Sequence, residues 1–226
     1  MIYKLFPKLH KEGYRFLAIA AVITFILLLI SKFFGIISLI ITIWVYYFFR
    51  DPERFPINDE NYLLSPADGV ISQITELNGP QELGLDNKKY TRVSIFMNVF
   101  DCHVNRVPST GKITKIFYKP GEYLNASLDK ASEKNERNYV KMSNKNGDEL
   151  ILVQIAGLIA RRIVCEKKEN DEIKQGDRFG MIRFGSRVDL YFENYQLMVN
   201  TNQKTIAGET ILARKEKWLK TKKSLN

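Results

Sequence analysis

The sequence predicts a mainly β protein: a barrel-sandwich-like antiparallel β domain preceded by an N-terminal hydrophobic helical hairpin. Three observations predict it. Residues 16 to 49 form an apolar run in which Lys32 is the only charged residue. From about residue 60 onward, short runs rich in β-branched and aromatic residues follow one another. Between them stand turn signals, NGP at 78 to 80, PG at 120 to 121, NKNGD at 144 to 148 and QGD at 175 to 177.

The apolar run is too long, and too bulky at its end, for a cleaved signal peptide. As one straight helix it would measure about 50 Å, against a hydrocarbon core of about 30 Å. The break from Ser31-Lys32 through Gly35 divides it into two helices. Each half is near or below the usual spanning length, so a tight hairpin is the preferred reading and a shallow re-entrant loop stays open. Lys4, Lys8, Lys11 and Arg15 precede the run and Arg50 and Arg54 follow it, which places both ends in the cytoplasm. Trp44, Tyr46 and Tyr47 suit the membrane interface. Residues 1–50 are therefore expected to be a segment of one or two transmembrane helices in the cell membrane. Residues 51–226 are expected to be a β-rich domain on the cytoplasmic side.

RDPERFPINDENYLLSP, from Arg50, carries prolines and charges without an apolar period, and reads as the linker out of the bilayer. Strands are expected in GVISQITEL, KYTRVSIFMNVF, KITKIFYK, NYVKMSN, ELILVQIAG, RIVCE, FGMIRFG, RVDLYF and QLMVN. SPADGVI at 65 to 71 and IKQGDRFGMI at 173 to 182 read as barrel corners, in the turn language of lipoyl carrier domains. No convincing Met-Lys or Asp-Lys hairpin tip presents a modifiable lysine, which weakens a carrier reading.

The net charge of +9 fits either nucleic acid or an anionic membrane surface. Beside a membrane anchor the second is simpler, and no nucleic-acid partner is expected. The tail from 214 to 226, RKEKWLKTKKSLN, fits the same surface or a solvated terminus. Two cysteines imply no disulfide framework. Cys102 adjoins His103, but with no second Cys or His nearby a metal site is not expected, and a catalytic thiol is disfavoured.

Within MIRFGSRVDLYF, residues 181 to 192, the pair Gly185-Ser186 interrupts what otherwise reads as buried strand. His103 follows an apolar strand, and Asp68 sits in the SPADG turn, where an Asp commonly caps its own backbone. Singly, each signal is weak. One reaction would join them: attack by the Ser186 hydroxyl on the Gly185 carbonyl, moving the acyl group from nitrogen to oxygen. Glycine leaves that carbonyl open and tolerates a strained turn. A base must take the hydroxyl proton, and a carboxylate can orient the base. β-Elimination of the ester, then hydrolysis with loss of ammonia, would leave a pyruvoyl group in place of Ser186.

Five motifs occur in order: SPADGVI, FMNVFDCHVNRVP, ASEKNERN, VQIAGLIARRIV and RFGSRVDLYF. Lying behind an N-terminal membrane segment, they closely resemble the short bacterial and archaeal phosphatidylserine decarboxylases over nearly the whole chain. The resemblance implies a pyruvoyl-dependent lyase of phospholipid biosynthesis, which converts phosphatidylserine in the membrane to phosphatidylethanolamine and carbon dioxide. It implies a precursor cut into a β chain, 1–185, and an α chain, 186–226, which stay together as a heterodimer, a higher oligomer remaining open. Ser186 would become the covalent pyruvoyl cofactor, and Asp68 and His103 match the acid and histidine that support processing.

The lipid amine would condense with the ketone as a Schiff base, and His103 is the first candidate to return a proton after carbon dioxide leaves. Longer bacterial relatives place two histidines in this stretch, whereas Arg106 stands here where the second would be expected. His103 then performs both duties, or one is met by another group or by water. Arg106, Arg161, Arg162, Arg183 and Arg187 are the cations available to orient the headgroup. Two alternatives stay open. A pyruvoyl decarboxylase for a soluble amino acid would not need residues 16 to 49. A membrane-tethered binding or carrier module would make Gly185-Ser186 an ordinary bulge.

Overall fold

The computed structural model describes residues 6–124, 133–157, 162–183 and 186–216. Gly185, Arg161, the start of the ASEKNERN motif and the tail from 217 onward lie outside the described residues.

After a short strand, β1 (Lys8–Leu9), come helices α1 (Gly13–Ile30) and α2 (Lys32–Phe48). Ser31 alone separates them, and its extended backbone (φ −156°, ψ 124°) ends one helix and starts the next. The helices fold back as a hairpin. Thr24 Oγ1 reaches Ser38 Oγ at 2.7 Å and Thr42 Oγ1 at 2.8 Å, so three hydroxyls satisfy one another inside an apolar pair. Near the tip a Cβ on Gly35 would run into Leu28, so glycine is what lets the helices meet there. At the open end β1 pairs with β2 (Arg50–Asp51), and the His10 N–H donates to the Phe49 carbonyl at 2.8 Å. Both ends of the hairpin therefore lie side by side.

By length and composition α1 can cross a membrane, with a mean hydropathy of 2.3, and α2 has 17 residues. Leu29 and Ile30 are each 74% exposed, and Phe33 beside them is 68% exposed. Contiguous apolar surface of this kind suits a membrane or another apolar partner.

The remaining strands form the body: β3 (Tyr62–Leu64), β4 (Gly69–Asn78), β5 (Lys89–Met97), β6 (Val104–Arg106), β7 (Gly111–Lys119), β8 (Arg137–Asn144), β9 (Glu149–Ala156), β10 (Ile163–Cys165), β11 (Glu172–Ile173), β12 (Arg178–Ile182), β13 (Ser186–Phe192), β14 (Tyr195–Leu197), β15 (Lys204–Thr205) and β16 (Ile211–Lys215). Eight of them make a curled antiparallel half-barrel in the order β11-β7-β8-β9-β13-β5-β4-β15. Two three-stranded sheets, β10-β12-β6 and β14-β16-β3, pack with it. The NKNGD turn closes β8 onto β9, with Gly147 at φ 79° where a side chain would be strained.

Period-2 alternation sorts the central strands. Val188, Leu190 and Phe192 of β13 face the main core with Ile95 and Leu152, while Tyr191 joins Tyr90, Tyr139 and Ile151 on the opposite face. All seven residues of β13 are buried, so this strand is covered on both sides.

Two expectations change. β5 stops at Met97 instead of running on, because Asn98 and Asp101 build an Asx turn. The Asn98 N–H donates to Asp101 Oδ2 at 2.9 Å and the Phe100 N–H to Asn98 Oδ1 at 2.8 Å. MIRFGSRVDLYF is not one interrupted strand either: β12 belongs to the small sheet with β6 and β10, and β13 to the half-barrel. Ser186 is the first residue of the half-barrel strand.

Candidate active site

Ser186 opens β13, with Met97 of β5 and Ala156 of β9 as its register partners. Its parity is that of Val188 and Leu190, so its side chain points to the core face, and it is 0% exposed. Its Oγ is buried with no hydrogen-bond partner among the described residues. The hydroxyls of Thr75, Ser94 and Ser109 are buried without a partner too; what sets Ser186 apart is its place at the start of β13, beside the end of β5.

His103 lies between the Asx turn and β6, and its carbonyl accepts the Ile182 N–H at 3.4 Å. The last residue of β12 is thus tied to His103, four positions before Ser186. The imidazole is fully buried, with Nδ1 3.0 Å from the Asp101 carbonyl oxygen. A carbonyl only accepts, so Nδ1 carries the hydrogen and Nε2 holds a lone pair. Nε2 too is buried and without a partner among the described residues. Phe48, the last residue of α2, covers the ring at 4.3 Å between centroids. Burial, first, and then the charge of Arg50 pull the His103 pKa down to about 4, against the pull of the Asp101 hydrogen bond.

Asp68 precedes Gly69, the residue at which β4 begins, with φ 150° and a Cα against which a Cβ would run into the Phe96 carbonyl oxygen. Only glycine lets β4 start so close to the end of β5. The Asp68 carboxylate takes both oxygens to Arg54 Nη2, at 3.0 and 2.7 Å, and accepts the Ala207 N–H at 2.8 Å. Burial raises its pKa, and Arg54 with the Ala207 N–H pull it back, the net direction being upward. Asp68 does not orient His103: the Asp101 carbonyl does that. Cys102 is buried, donates to the Arg50 carbonyl at 3.3 Å, and its thiol is pushed up to about 11 by burial, so it is no nucleophile at neutral pH.

Asp68, His103 and Ser186 stand at one end of the half-barrel: Asp68 before β4 and His103 after β5, with Ser186 at the start of β13, the other neighbour of β5. None of the three is hydrogen-bonded to another. The site can support base-assisted attack by a buried hydroxyl, and Ser186 fits a pyruvoyl precursor, being a small, unpartnered group held in the sheet.

A family model described as phosphatidylserine decarboxylase matches residues 41–213. The chain belongs to the phosphatidylserine decarboxylase family. It is 65% identical over 215 residues to the phosphatidylserine decarboxylase proenzyme of Pelagibacter ubique (strain HTCC1062), covering 95% of this chain and 100% of that one. It is 52% identical over 211 residues to the proenzyme of Rickettsia typhi (strain ATCC VR-144 / Wilmington), covering 92% and 91%.

For a chain of the decarboxylase family, the arginines sort themselves by partner. Arg106 bonds Asp51 at 3.0 Å, the Gly176 carbonyl at 3.0 Å and the Pro52 carbonyl at 2.8 Å, latching the linker to β6, so it is not a free headgroup cation. Arg187 forks onto Asp189 at 2.6 and 2.8 Å on the face opposite Ser186. Arg183, next to the Gly-Ser pair, is tied to Glu12 at the foot of α1 and lies 5.2 Å over the Phe16 ring. Arg162 is exposed.

The sequence reading missed Arg54 and Phe48, which hold and cover the two site residues, because it assigned both to anchor and linker. It also missed an interior chain of amides: Asn138 Nδ2 donates to Gln154 at 2.9 Å, and Gln154 Nε2 to Asn105 at 2.9 Å. Asn105 in turn contacts the sulfur of Met97, the register partner of Ser186. A polar residue at each strand's inward parity was the available signal.

Proposed function

We propose that the chain is a self-processing precursor cut between Gly185 and Ser186, and that its product decarboxylates phosphatidylserine to phosphatidylethanolamine at the cytoplasmic face of the cell membrane. The observation that carries this reading is that Ser186 and His103, each with a buried and unpartnered polar atom, meet Asp68 at one end of the half-barrel. Membership of the family supplies the activity and the proenzyme form.

In processing, His103 Nε2 takes the Ser186 hydroxyl proton as Oγ attacks the Gly185 carbonyl, and the amide C–N bond breaks to leave an ester and a free amine on residue 186. Removal of the Ser186 α-proton then expels the Gly185 carboxylate, ending the β chain at 185. Water replaces nitrogen on the remaining residue, ammonia leaves, and the α chain begins with a ketone. That ketone is an electron sink for the pair left behind when a carboxylate departs as carbon dioxide.

An imidazole held down to about 4 is a weak base but, once charged, a strong acid, suited to handing a proton back. Asp68, fixed by Arg54, lies at the same end of the sheet. Phe48 and Phe49 pack with Cys102, Val104 and Met181, so the foot of the hairpin is part of the wall that keeps water from His103. Such a hairpin holds the site at the bilayer surface, where a lipid headgroup can enter while its chains stay in the membrane.

The test is turnover by purified protein in phosphatidylserine micelles, read as phosphatidylethanolamine formed and carbon dioxide released, with Ser186→Ala as the control. Product from the wild type alone supports the reading; equal product from both, or none from a fully split wild type, contradicts it.

A further inference from the structure

Beside the foot of the hairpin a cleft of about 500 Å3 opens between α2 and the Asx turn after β5. Its walls include Ile40, Ile43 and Trp44 on one side and Val99 and Phe100 on the other, with Arg50 between them. Phe100 is 71% exposed, an apolar ring projecting from the catalytic body toward the level of the hairpin. The cleft therefore runs from the apolar flank of α2 to a single cation.

Arg50 is the cation whose partners leave it available. Nη1 donates to the Tyr47 carbonyl at 2.7 Å and Nη2 to the Phe100 carbonyl at 2.9 Å, and no carboxylate pairs with it among the described residues. A guanidinium carries five N–H donors. Two backbone bonds thus fix its orientation across the cleft and leave donors and full charge unspent. Its backbone carbonyl accepts from Cys102, the neighbour of His103, at 3.3 Å, which puts it beside the site already described. Arg106, Arg183 and Arg187 each face a carboxylate instead.

We propose that this cleft admits the substrate lipid, with Arg50 binding the phosphodiester of an anionic glycerophospholipid and the α2 wall holding the adjoining part of its acyl chains. Charge complementarity selects the occupant: one oriented guanidinium at the end of an apolar groove, beside the exposed apolar flank of α2, matches an amphiphile with an anionic head. A nucleic acid or an acidic peptide would find a single cation among hydrocarbon walls. The inference rests on phosphatidylserine being the substrate.

The experiment has a binding arm and a turnover arm. In the unprocessed Ser186→Ala protein, affinity is measured for dihexanoyl phosphatidylserine and for glycerophosphoserine, which lacks chains. Arg50→Ala is expected to weaken both at least tenfold, and Arg50→Lys less. Ile40→Trp, which fills the groove at a 62% exposed position, is expected to weaken the lipid and spare glycerophosphoserine. In processed protein, Arg50→Ala is expected to raise KM for phosphatidylserine at least tenfold while the split chains still form.

Unchanged affinity and KM in Arg50→Ala overturn the cleft while the decarboxylase reading stands. Arg50-dependent binding by a wild type that does not decarboxylate phosphatidylserine overturns that reading and leaves the cleft. Should Arg50→Ala fail to fold, Ile40→Trp decides, since an unchanged KM there removes the groove.

Discussion

Lowering the pH separates a buried base from an ordinary histidine. With a pKa of about 4, His103 would be only about 3% protonated at pH 5.5, whereas a histidine at its usual value of about 6.5 would be about 90% protonated. The sign follows from burial: the folded pKa lies below the unfolded one, so the unfolded chain binds the proton first. Stability contributed by keeping His103 neutral is present above about pH 6.5 and is lost as pH falls toward 4, by about 3 kcal/mol at most. The assay is NMR of labelled imidazole carbons in the Ser186→Ala protein in detergent micelles. The chain has two histidines, so a His10→Gln variant leaves one signal to follow. That signal should stay at its neutral position from pH 8 to pH 5.5 with the fold intact by circular dichroism. A midpoint between pH 6 and 7 in folded protein would refute the reasoning, because Nε2 would then be open to water.

Three further outcomes are expected. Phe48→Ala should cost about 3 to 5 kcal/mol by opening a cavity and should move the His103 midpoint back toward its ordinary value, both readable on one sample by melting and NMR. Arg54→Ala leaves the half-buried Asp68 carboxylate without its cation, which should lower stability by roughly 3 kcal/mol and make unsplit precursor accumulate at neutral pH, with Arg54→Lys splitting faster than Arg54→Ala; equal splitting in all three proteins would count against Asp68. Thr24→Val should loosen the hairpin by about 1 kcal/mol through loss of the hydroxyl cluster, measured as melting in micelles, without slowing the split of the chain.

What the sequence made legible was whatever local pattern dictates. The apolar run broken at Ser31, the NKNGD turn and the β-branched and aromatic run RVDLYF each force their element through backbone preference or a buried face, and each folds as expected. What it hid depends on contacts distant in the chain. Arg54 lies in a linker by composition and becomes the partner of Asp68 only once β4 starts beside it. Phe48 reads as one more apolar residue of α2 until the hairpin's foot packs on β6 and β12. Short strands such as β11 and β15 hold two residues each, too few to show a period. MIRFGSRVDLYF looked like one strand because both halves are strand; that they lie in different sheets is a tertiary fact.

The most direct test of the central claim is the intact mass of the purified protein under denaturing conditions, beside Ser186→Ala. The account predicts two chains divided after Gly185 in the wild type, the smaller blocked to Edman degradation and reactive toward a carbonyl reagent, and one undivided chain in the variant. A single unmodified chain of 226 residues from the wild type would contradict it.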